Sequence, residues 1–153
     1  MKKHYIFLLY RGYKKIKLDF FLKKISQNIG KIIRKSSYFN VRKVEKNTYI
    51  VLYLTTCLSP YILFKKILYI EYFMKNILVN YNIKNSIKYK NINIYILFYD
   101  DIIIYSPLLK IPYPLIHLRR FMLEPMCEIS PEKNHPIFNK TMLEILGTFS
   151  YNS

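Results

Sequence analysis

Apolar positions change their spacing several times along this chain, and each change predicts an element. His4 to Leu9 is a short apolar run of strand formers, a first strand. From Lys17 to Ile33, residues Leu18, Phe21, Leu22, Ile25, Ile29 and Ile32 recur at three- and four-residue steps with lysines opposite, which predicts an amphipathic helix. Ser36 to Val41 and Tyr49 to Thr56 read as a second and third strand joined by the charged loop Arg42 to Asn47. Ser59-Pro60 has the form of a helix start, Ser at the cap and Pro in the first turn, and predicts a helix to about Lys75 that buries Ile62 or Leu63, Ile67, Ile70 and Met74. Asn76 to Lys90 has no clear period and predicts a mobile loop. Asn91 to Tyr99 is the strongest strand pattern in the chain, and Asp101 to Tyr105 predicts a short edge or hairpin partner. The resulting order, β-α-β-β-α-β, is that of a ferredoxin-like α+β fold with helices packed on an antiparallel sheet.

Beyond it lies a segment of different character, Pro107 to Pro136, which holds every proline except Pro60 and the one Arg-Arg pair. Pro112 and Pro114 force an extended turn, because each ring fixes its own φ and drives the preceding residue out of the helical region. A helix is predicted from Leu115, with Leu115, Leu118, Met122 and Met126 facing inward and Arg119 and Arg120 beside them; Pro131 and Pro136 end it. A guanidinium on a short helix after a rigid loop suits a phosphate, because its donors fork onto two oxygens, although a solvated arginine is the default on an exposed face.

Composition alters this picture in one respect. The formal net charge is +16, from 25 Lys and Arg against 9 Asp and Glu, which by itself suggests a polyanion partner. Yet the chain has no alanine and no tryptophan, its lysines are dispersed, and Ile, Lys, Asn, Tyr and Phe crowd every segment. The charge therefore reads first as the drift of an AT-rich coding sequence and second as a nucleic-acid footprint. The two cysteines, Cys57 and Cys127, lack any metal-ligand spacing and read as reduced core thiols. The charged start is too short for an export segment, and the longest apolar run, Tyr49 to Phe64, is interrupted by Thr55, Thr56, Ser59 and Pro60, so no membrane span is expected. A chain of 153 residues with these properties is expected to be one cytoplasmic domain.

Within the proline-rich segment, Pro107, Leu109, Ile111, Pro112, Pro114, His117, Arg119, Phe121, Leu123, Pro125, Glu128, Ile129, Pro131, His135 and Pro136 fall in register with a known pattern. They resemble the C-terminal signature of the 6-hydroxymethyl-7,8-dihydropterin pyrophosphokinase family of folate biosynthesis. The resemblance implies a ferredoxin-like fold over residues 1–153, with ATP and a reduced pterin as ligands and Mg²⁺ as cofactor. It also implies transfer of diphosphate from ATP to the hydroxymethyl group.

Carried over residue by residue, the resemblance makes Arg119 and Lys90 the catalytic candidates. It places Arg119, Lys110 and Tyr113 at the nucleotide, and Tyr49 and Phe121 at the pterin. The family's metal-holding Asp-x-Asp falls on Asn93 and Tyr95, neither of which is a carboxylate, so metal binding and transfer are expected to be impaired. Glu71 and the Asp100-Asp101 pair are the acids that could compensate. Gly-Ser-Asn after the first strand becomes Leu9, Tyr10 and Arg11 here, and the family's pterin-reading Asn becomes Val51. Two further readings remain: a non-catalytic remnant acting as a scaffold for a neighbouring folate enzyme, and a basic RNA-binding sheet, against which stands the absence of glycine from Asn91 to Tyr99.

Overall fold

The computed structural model describes residues 2–13, 18–37, 47–81 and 92–149. Strand β1 (His4–Tyr13) is followed by α1 (Leu18–Asn28), β2 (Gly30–Lys35), β3 (Asn47–Thr56), α2 (Pro60–Tyr81) and β4 (Asn93–Tyr99). The four strands form one sheet in the order β2-β3-β1-β4, and every neighbouring pair is antiparallel. This is the expected ferredoxin-like arrangement, and it puts β1 in the interior. Ile6, Leu8 and Tyr10 point to one face and Phe7 and Leu9 to the other, all of them buried.

The first face is covered by α1 and α2. Phe21 and Ile25 of α1 and Leu63, Ile67, Ile70 and Met74 of α2 join Leu8, Tyr10 and Leu52 in one cluster, so the core line predicted for α2 is the one observed. Each of these side chains contributes about 1.5–3 kcal/mol by leaving water. The second face is covered by the C-terminal segment. After a two-stranded ribbon, β5 (Ile104–Tyr105) with β6 (Lys110–Ile111), come a 3₁₀ turn (Ile116–Leu118), α3 (Arg120–Ile129) and α4 (Met142–Leu146). Met122, Leu123 and Met126 of α3 and Ile145 of α4 pack on Phe7, Leu9, Val51 and Leu97. Helices therefore cover both faces of the sheet.

Several boundaries differ from expectation. The first helix stops at Asn28 instead of running to Ile33, and β2 follows at once. Ile29 and Ile32 keep the helical spacing, but the chain turns into β2 at Gly30, where a Cβ would overlap the carbonyl oxygen of Thr55. The second strand was expected over Ser36–Val41. It ends at Lys35, Ser36 and Ser37 lie beyond it, and the remainder of that stretch lies outside the described residues. Helix α2 continues through Asn76 to Tyr81, and the rest of the expected loop to Lys90 again lies outside the described residues.

Leu115 and Leu118 are exposed, because the 3₁₀ turn shifts the side-chain register before α3 begins. Cys57 is exposed and no part of the core, while burial raises the thiol of Cys127 to a pKa of about 11. Among the described residues, no helix is long and apolar enough to cross a membrane.

Candidate functional site

The second face of the sheet carries the candidate residues. Alternation along β1, β3 and β4 arranges them in rows across the strands. Arg11 lies opposite Tyr49 on one side and Asn93 on the other; in the next row Leu9 lies between Val51 and Tyr95. Directly opposed residues have Cβ atoms roughly 4.5–5.5 Å apart, so Arg11 and Asn93 share one small patch.

The C-terminal segment closes over this patch. The Tyr113 amide donates to the Leu97 carbonyl at 3.0 Å, which fixes the loop after β6 to the sheet and brings the Tyr113 ring within 5.0 Å of Tyr95. Burial is the main cause that raises the Tyr113 phenol, and Tyr95 adds to it. Arg119 and Arg11 act in the opposite sense, which places both guanidiniums within electrostatic reach of the phenol. Arg119 caps α3 in extended conformation, and its carbonyl accepts from the Met122 and Leu123 amides. Two residues on, Phe121 packs against the buried Tyr49 with ring centroids 4.7 Å apart.

A second attachment positions the same helix. Both oxygens of Glu128 accept from Ser37, one from its amide at 3.0 Å and one from its hydroxyl at 2.8 Å. Ser36 in turn exchanges bonds with Val51: its amide donates to the Val51 carbonyl, and its hydroxyl accepts from the Val51 amide. Helix α3 is thereby tied to the strand that carries Tyr49. His135 is buried and accepts from the Ile137 and Phe138 amides through Nδ1, so it anchors the loop behind α3; burial, with His117 and Lys133 nearby, lowers its pKa to about 4.

The structure thus brings Tyr95 and Tyr113 together, with Arg119 in electrostatic reach of Tyr113, and separately Tyr49 and Phe121. Lys110 lies on the outer side of β4, its Nζ 5.3 Å from the Tyr105 ring, in an open cleft of about 340 Å³ that Tyr95 and Tyr113 also line. Lys90 lies outside the described residues. Arg11 was not among the sequence candidates. Its signal was a charge in the odd positions of an otherwise apolar strand, and its Nε is buried without a hydrogen-bond partner. A charged donor left in that state costs about 1–3 kcal/mol or more.

Neither group of acids compensates for Asn93 and Tyr95. Asp100 accepts from the Tyr5 amide and bonds the His4 ring, and Asp101 pairs with Lys133. Both lie at the far end of β4, about 23 Å of strand from Asn93 at ~3.3 Å per residue. Glu71 accepts from the Ile94 amide at 2.7 Å, and its carboxyl is raised mainly by burial. It ties α2 to the free edge of β4 and is one carboxylate by itself. No group of three His, Cys, Asp or Glu able to hold a metal occurs among the described residues. With neutral side chains at both positions and a guanidinium in the same row, the patch does not fit a divalent cation.

A curated relative, the 2-amino-4-hydroxy-6-hydroxymethyldihydropteridine pyrophosphokinase of Aquifex aeolicus, is 42% identical over 55 residues, 36% of this chain and 34% of that protein. Two solved structures of Plasmodium falciparum HPPK-DHPS are similar in fold. The wild type with SDX-DHP has a TM-score of 0.69 at 13% identity, over 94% of this chain and 43% of that one. The wild type alone has a TM-score of 0.70 at 14% identity, over 95% and 44%. The chain thus spans less than half the length of those structural relatives and aligns with about a third of the bacterial one. The sequence profile of 7,8-dihydro-6-hydroxymethylpterin-pyrophosphokinase matches residues 12–131, well over half of the chain. On that match, together with the ferredoxin-like sheet and the C-terminal segment folded over its second face, the chain belongs to the 7,8-dihydro-6-hydroxymethylpterin-pyrophosphokinase family.

Proposed function

We propose that this chain keeps the ligand pair of its family, ATP and 6-hydroxymethyl-7,8-dihydropterin, and transfers diphosphate between them far more slowly than a member with both metal carboxylates. The observation that carries this is the row Tyr49-Arg11-Asn93 with Tyr95 beside it. That face keeps aromatic and cationic side chains, while the two positions that would hold Mg²⁺ carry no negative charge. Arg119 and Lys110 supply cations for the triphosphate, and the Tyr49-Phe121 pair supplies ring faces for the pterin. Removing one preorganised charge-stabilising group typically costs about 10²–10³ in rate, and two are absent here.

The test is AMP release from Mg-ATP and the hydroxymethylpterin, on protein shown to be folded by circular dichroism. The Asn93→Asp, Tyr95→Asp double variant is expected to release AMP at least ~10²-fold faster than the unaltered chain. Equal rates would overturn the assignment of the defect to these two positions. Folded protein that binds no ATP would overturn the ligand assignment and leave the scaffold reading. One observation favours that second reading: α2 exposes Tyr61, Ile62, Leu68, Tyr69 and Tyr72 along its outer side, and the structural relatives are HPPK-DHPS chains more than twice as long.

A further inference from the structure

Beside Asn93 and Tyr95, the positions where the resemblance places the metal ligands, this chain carries a guanidinium. Arg11 is central in the sheet, between Tyr49 and Asn93 in register, and its Nε is buried without an acceptor. A buried cationic N–H with no acceptor from the protein is well complemented by an anion. Arg119, at the cap of α3, lies like Arg11 within electrostatic reach of the Tyr113 phenol, which packs on Tyr95. Among the described residues neither arginine forms an ion pair, whereas Arg120 is bound to Glu124. Aromatic rings on the flanks keep the local dielectric low, which strengthens the attraction of both charges for a polyanion.

We infer that Arg11 and Arg119 form a metal-independent site for a diphosphate group, in which the Arg11 guanidinium takes over the charge-neutralising role that Mg²⁺ cannot fill here. A fixed fork of N–H donors suits phosphoryl oxygens, and a diphosphate offers several such oxygens to two guanidiniums. The inference deepens the ATP-binding reading and rests on it only for the identity of the natural ligand. It differs from that reading in what it demands of the metal: chelation by Mg²⁺ lowers the ligand's charge and competes with the arginines.

Calorimetric titration with inorganic diphosphate tests it on the whole chain. Binding is expected in EDTA, at least as tight as in the presence of Mg²⁺. Arg11→Ala should weaken it about tenfold or more, and Arg34→Ala, which removes one charge beside Tyr53 at the other end of the sheet, less than about twofold. Binding that requires Mg²⁺, or equal losses in the two variants, would overturn the site, the second outcome by showing only a general response to a basic surface. Should Arg11→Ala fail to fold, the Nε–H resonance of Arg11 in the unaltered protein decides: it moves on addition of diphosphate, and a stationary resonance overturns the proposal. Diphosphate binding without AMP release would count against slow transfer alone; AMP release without metal-free diphosphate binding would count against this site alone.

Discussion

Glu128 shows how much one exposed side chain can organise. Its two oxygens take both donors of Ser37, so a single carboxylate joins the end of α3 to the chain just after β2. Because Ser36 continues the ladder with Val51, the tie also sets the distance between Phe121 on α3 and Tyr49 on β3. Glu128→Ala removes two charge-assisted bonds that are partly open to water, a loss of about 1 kcal/mol, and lowers the thermal midpoint by roughly 2–4 °C. Glu128→Gln keeps one acceptor and should lose less than half as much. Under the proposed function the distinguishing readout is pterin affinity: it should fall in Glu128→Ala beyond what a conservative surface change produces, because the Tyr49-Phe121 ring pair is no longer held in register. An unchanged midpoint for Glu128→Ala would show that α3 is held by its apolar face alone.

At the scale of elements, the junction of α1 and β2 depends on Gly30. The missing Cβ lets the Thr55 carbonyl approach, while the Thr56 hydroxyl donates to the Ile29 carbonyl across the same turn. The obstruction that Gly30→Ala meets is backbone, which cannot rotate away, so the expected cost is about 1–3 kcal/mol, or roughly 2–12 °C in the thermal midpoint. Gly147→Ala, in ordinary contact with its neighbours and helical in φ, serves as the near-neutral control. The same junction explains what the sequence could reveal. Elements longer than one apolar period were legible: the Leu63, Ile67, Ile70 and Met74 line of α2, and β4. A boundary inside an unbroken helical spacing was not, as at Ile29 and Ile32, which continue the period of α1 across the turn at Gly30. A strand pattern read only to Leu9 left Arg11 outside the sheet and hid the residue that most changes the site, because β1 continues past its apolar run to Tyr13. The Tyr95-Tyr113 contact was not legible, since no local spacing relates residues on two separate elements.

For the whole molecule, the relevant quantity is the balance of buried titratable groups in a chain of net charge +16. His135 is held neutral by burial, with a folded pKa of about 4 against about 6.5 when unfolded. Between those values the unfolded chain binds the proton and the folded one does not, so stability rises with pH from about 4 to 6.5 and is level above that window, a span worth a few kcal/mol. Glu71 acts oppositely. Its carboxyl is raised by burial, so its contribution is fully present below the unfolded value and is lost as pH rises through the folded one. The two contributions oppose each other, and added positive charge on so basic a chain disfavours the compact state as pH falls, in the same sense as His135. Urea midpoints measured at pH 5 and pH 7 should therefore rise with pH. In Glu71→Gln, where an amide oxygen still accepts from Ile94, the opposing contribution is gone and the rise should be steeper. A shallower slope in that variant would mean that the Glu71 carboxyl is stabilised in its charged form, and that its tie to β4 strengthens on ionisation.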